Sequence, residues 1–203
     1  MQPIIHGFLL ALGLILPLGV QNVFVFNQGA NHKQFKKALP VIITASICDT
    51  VLILLAVFGV SLLILSFSWL KMILFVGGFF FLLFMGWSVW RSKPSKSSEA
   101  APLPMKKQVT FAASVSLLNP HALLDTAGVI GTSSIVYSGA EKLGFTIACI
   151  SVSWLWFIGL AFAGKWIGER DGNGKRLLFI NRLSAILIWG VALYIAKEII
   201  KLL

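Results

Sequence analysis

Apolar residues run along this chain in long uninterrupted stretches, following neither the 3.6-residue period of a surface helix nor the alternation of a half-buried strand. Such stretches are solvated by lipid, and a helix needs about 20 apolar residues to cross roughly 30 Å of hydrocarbon. Six stretches qualify, over 4–27, 39–65, 70–90, 108–132, 143–168 and 178–200. Between the third and fourth lies 91–107, RSKPSKSSEAAPLPMKK, whose Ser, Pro and Lys content reads as a flexible aqueous linker. The pattern predicts an all-α integral membrane protein of six helices. Its first three-helix unit covers 1–90, the basic linker 91–107 and the second three-helix unit 108–203.

Composition agrees: 58% of residues are hydrophobic and 12% charged, where a soluble domain has about a quarter charged. The net charge of +10 does not make a nucleic-acid surface, because the basic residues sit in short loops and form no stripe along one face. Their distribution sets the orientation instead. Thirteen of the seventeen fall in the first loop (Lys33, Lys36, Lys37), the linker (Arg91, Lys93, Lys96, Lys106, Lys107) and the fifth loop (Lys165, Arg170, Lys175, Arg176, Arg182). These loops are expected in the cytoplasm and both termini outside. The N-terminus lacks the positive region of a secretory signal, so the first segment is expected to be retained.

Three helices per half make the second half enter the membrane in the opposite sense to the first, the arrangement of an inverted repeat. Superposing Pro17 of LPLGVQN on Pro120 of NPHALLD sets Asn22 opposite Asp125. In the third and sixth helices Gly77 falls opposite Ser184 and Trp87 opposite Tyr194.

Of seven acidic residues five, Glu99, Glu141, Glu169, Asp171 and Glu198, fall in loops or near helix ends, and only Asp49 and Asp125 do not. Asp49 is about ten residues into its helix, roughly 15 Å deep at 1.5 Å per residue. A carboxylate there costs about 2.5 to 3.5 kcal/mol and ordinarily faces a polar cavity or a partner. Asp125 follows a helix break, since Pro120 restricts Asn119 and has no N–H for the Ser116 carbonyl. Pro17 and Gly19 repeat the device ahead of Gln21 and Asn22. Paired interrupted helices point to a transporter's binding site. No Lys or Arg lies at this depth, so the counter-charge is expected to be transient: protons or a cationic substrate.

Other candidates carry less. His6 reads as an interfacial residue, His32 as solvated in the first basic loop, and His121 as either a structural plug beside Pro120 or a proton-exchanging group. Cys48 and Cys149 read as packing residues. Zinc-ligand spacing, a phosphate-binding Gly-rich loop and a nucleophile motif are all missing from the sequence, so neither a cofactor nor an enzyme is expected. Gly164 and Gly168 have the spacing of a close helix contact, but it is common by chance and leaves a homodimer open.

The motifs ILPLGVQN through FNQG, SICD, and LNPH with LDT, with the aromatic SWLWF, together resemble the LysE family of L-lysine and L-arginine exporters along essentially the whole chain. That resemblance implies a multi-pass protein of the bacterial cytoplasmic membrane exporting arginine or lysine against protons by antiport. Asp49 and Asp125 would bind the substrate's cation or the protons. Pro17, Gln21, Asn22, Asn119, Pro120, His121 and Thr126 would form the helix breaks and hold the rest of the substrate. Val20 stands where a second proline is common in the basic exporters, which bears on substrate preference. Alternatives are export of a neutral amino acid, export of a metal cation held by Asp49, Asp125, Asn22 and His121, or a non-transporting membrane scaffold in which the two Asp are structural.

Overall fold

The computed structural model describes residues 1–16, 19–32, 34–59, 68–91, 104–171 and 175–202, and every element among them is helical. The first apolar segment forms two helices, α1 (Gln2–Ile15) and α2 (Val20–Asn31), whose axes differ by 79°. A 3-10 turn, Phe35–Ala38, leads into α3 (Leu39–Val57). This helix stops short of the expected 39–65 run, because Gly59 takes φ +79°, a left-handed conformation that caps the helix cheaply only at glycine. Residues 60–65 lie outside the described residues, as do 92–103 of the linker.

Helix α4 (Ser68–Arg91) completes the first half. In the second half, α5 (Met105–Leu117) and α6 (Pro120–Asp125) flank the Asn-Pro break. A π-helical turn, Thr126–Gly131, and a 3-10 turn, Ser134–Val136, follow. The segment over 108–132, expected to be interrupted at Asn119–Pro120, is broken there and divides further at the π turn. Helix α7 (Gly139–Arg170) spans about 48 Å at 1.5 Å per residue, longer than the hydrocarbon core, and α8 (Lys175–Leu202) closes the chain. Among the described residues, Phe35–Val57, Gly139–Arg170 and Leu178–Lys197 are each long and apolar enough to cross a membrane. Helices α1 and α2 qualify together as a fourth, broken span, while Phe75–Arg91 and Thr126–Val136 are shorter apolar helices.

The packing is reciprocal. Broken pair α1–α2 lies on α7, α5 and the π turn lie on α3, and α4 pairs with α8. Small residues let α2 and α7 touch backbone to backbone: a Cβ on Gly29 would collide with the Ala161 carbonyl, and one on Gly164 with that of Phe26. A Cβ on Gly168 would come within 2.6 Å of the Ala30 carbonyl oxygen. The α4–α8 seam buries Leu82, Met85, Ala185 and Ile188 against Val20 and Val23 of α2. Outward residues such as Trp69, Phe80, Phe84 and Leu193 stay exposed, as a lipid-facing surface requires.

Candidate functional site

Each helix break leaves backbone groups that need partners. At the first, the Asn22 side-chain amide donates to the Ile15 carbonyl at the end of α1 (2.8 Å), so the residue after the break satisfies the helix before it. Gly19 is the N-cap of α2, and no side chain caps that end. At the second break, the Leu123 N–H closes the first turn of α6 on the Asn119 carbonyl (3.2 Å). Asp125 ends α6 where the wider π turn begins, and the Thr126 hydroxyl donates back to the Ala122 carbonyl (2.7 Å). π turns inside helices concentrate at functional sites.

Asp49 sits midway along α3 and is held on both oxygens. Gln21 Nε2 of α2 donates to Oδ1 (3.3 Å) and also lies 3.4 Å from the Ala45 carbonyl one turn earlier. Ser153 Oγ of α7 donates to Oδ2 (2.8 Å). The neighbouring residues repeat the link, with Trp154 Nε1 donating to Thr50 Oγ1 (3.1 Å). Bonds of this kind on both oxygens hold the half-buried carboxylate in one orientation.

These groups open onto one cavity of about 290 Å³, close to the lower end of small-molecule pockets at roughly 300 to 1,000 Å³. Its polar side brings together Gln21, Asn22, Asp49, Asn119, Asp125 and Thr126, six of the residues singled out in the sequence, with Ser153 added. Its apolar side is made by Leu187, Ile188 and Val191 of α8, with Ile53 and Phe157. Pro17 and the side chains of Pro120 and His121 lie outside the described residues. Ser153 was the site residue missed, although a hydroxyl in the middle of an apolar span is the signal that marks it.

Of the histidines, His32 departs from expectation. His6 bonds Tyr137 Oη through Nδ1 (2.8 Å) and packs on Phe145. His32 is not solvated: only 3% exposed, it donates from Nδ1 to the Gln28 carbonyl (2.8 Å), and Gln108 Nε2 donates to its Nε2 (3.3 Å). Two satisfied ring nitrogens allow the imidazole to be buried beside a basic loop. No group of three or more His, Cys, Asp or Glu side chains converges among the described residues, which do not include the His121 side chain.

Fold and site together define a multi-pass α-helical membrane protein that encloses a solute-sized cavity carrying two carboxylates. The family model described as LysE type translocator matches residues 12–198, and the chain belongs to that family. It is 54% identical over 195 residues to the "Putative amino-acid transporter YisU" of Bacillus subtilis (strain 168), covering 96% of this chain and 89% of the relative. It is 34% identical over 198 residues to the "Arginine exporter protein ArgO" of Salmonella typhimurium, covering 95% and 92%. No solved structure matches the chain.

Proposed function

We propose that this translocator is a secondary active exporter of basic L-amino acids, arginine, lysine or both, across the bacterial cytoplasmic membrane, driven by the proton-motive force. The observation that carries the reading is the cavity itself: Asp49 and Asp125 both line it, and among the described residues its lining includes no Lys or Arg. A basic amino acid supplies that cation, and the similarity to an arginine exporter supports the same class. Its α-carboxylate fits the uncapped start of α2, where N–H groups and the helix dipole favour an anion. Its methylene stem fits the wall of Leu187, Ile188 and Val191, and its cationic tip the carboxylates.

Moving one positive charge outward against a negative interior costs about 2.3 kcal/mol per 100 mV, and an inward proton in exchange makes the cycle electroneutral. The reciprocal packing of each broken segment on the other half's long helix supports two inverted repeats that alternate access to the cavity.

Efflux of labelled arginine and lysine from preloaded proteoliposomes tests this. Saturable, gradient-dependent efflux is expected, falling roughly thirty-fold or more in Asp49→Asn and in Asp125→Asn, the scale of losing a buried charge partner. Wild-type protein that moves neither solute under an imposed proton gradient rejects the reading. Efflux that divalent cations compete away and arginine does not would favour the metal alternative.

A further inference from the structure

Ser153 has no role in the proposal above beyond touching Asp49, yet its bond to that carboxylate is 2.8 Å against 3.3 Å from Gln21. Two consecutive rungs, Ser153 to Asp49 and Trp154 to Thr50, join α7 to α3, and each connects residues 104 apart. The reading of two inverted halves, on which this inference rests, pairs Asn22 with Asp125 at a separation of 103 and Gly77 with Ser184 at 107. Helices α3 and α7 lie between those positions in their respective halves, so the counterpart of Asp49 falls within 152–156. Equivalent residues of two halves related by a two-fold rotation touch only where the axis passes, because elsewhere the rotation carries them apart. A second contact falls one residue off the same rule: Trp189 Nε1 of α8 donates to the Leu83 carbonyl of α4 (3.4 Å), 106 residues away, next to Gly190, the counterpart of Leu83 at a separation of 107.

We propose that Ser153 is the second-half counterpart of Asp49 and a positioning residue for it, holding the carboxylate on the internal two-fold axis, the one place both halves share. A cation bound there keeps its anchor while the halves exchange conformations around it. Gln21, from the first half, and Ser153, from the second, then grip one oxygen each.

The test is a charge swap. Asp49→Ser is expected to abolish export, and Asp49→Ser with Ser153→Asp to restore it at least about ten-fold, since the carboxylate returns to the same spot from the opposite helix. Ser153→Ala is expected to raise the half-saturating concentration about ten-fold with little change in maximal rate, as for one lost bond to a charged group. A serine with only a packing role would lower maximal rate and protein yield, and the swap would recover nothing. A swapped variant that is folded and monodisperse but no more active than Asp49→Ser overturns the proposal. Independently of any solute, Asp49→Cys with Ser153→Cys, in a Cys48→Ser and Cys149→Ser background, is expected to be bridged by mercuric ion with and without arginine. Failure to bridge overturns the clasp even where the wild-type protein exports both amino acids. Bridging in the double-cysteine variant, with wild-type protein that exports neither amino acid, would reject the substrate assignment alone.

Discussion

His32 lies between Asn31 and Lys33, in a stretch polar enough to read as loop, and its burial depends on Gln108, 76 residues further along. No local pattern announces such a partner, so this residue was illegible in the sequence while Asp49 and Asp125 were plain. A charge in an apolar run is conspicuous by itself; a histidine beside lysines is not. The second proton of the Gln108 amide goes to the Lys37 carbonyl (3.2 Å), so one glutamine ties the end of α2, the following 3-10 turn and α5 together. His32→Ala removes the central acceptor and leaves buried polar groups unmatched, at a cost of about 1 to 3 kcal/mol. The expected result is a midpoint several degrees lower in a thermal melt of the detergent-purified protein, and an unchanged melt would show that the bonds contribute no net stability.

Among the elements, the apolar runs and both proline breaks were legible because each is written in contiguous residues. The π turn at Thr126–Gly131 was not, since its sequence, TAGVIG, has nothing that distinguishes five residues per hydrogen-bonded ring from four. The spacing of Gly164 and Gly168 was visible but silent about its partner, which is α2 of the same chain. That contact carries a consequence for the site, because α2 also presents Gln21 and Asn22 to the cavity. Gly164→Leu must push α2 off α7, and overpacking of this kind costs about 1 to 3 kcal/mol or more. Both a lower melting point and weaker efflux are expected. Gly159→Leu is the control, since a Cβ there meets nothing within 4 Å, and equal damage from the two would detach the effect from helix contact.

For the molecule as a whole, orientation rests on charge, and single cysteines in a Cys48→Ser and Cys149→Ser background check it. Cysteine at Lys36 or Lys107 is expected to react with an impermeant maleimide only from the cytoplasmic side, and cysteine at Glu141 only from outside. Labelling of Lys107→Cys from outside would invert the arrangement. The reciprocal packing also has a consequence in time. The surface that α1 and α2 cover belongs to α7, and the hydroxyl that grips Asp49 belongs to the same helix. At about 5 to 20 residues per second, synthesis of the hundred or so residues separating Asp49 from Ser153 takes on the order of 5 to 20 seconds. Throughout that interval the nascent first half stands in the bilayer as an unfinished object, its acidic residue waiting for a partner still on the ribosome, and any membrane chaperone or quality-control protease would meet it in that form.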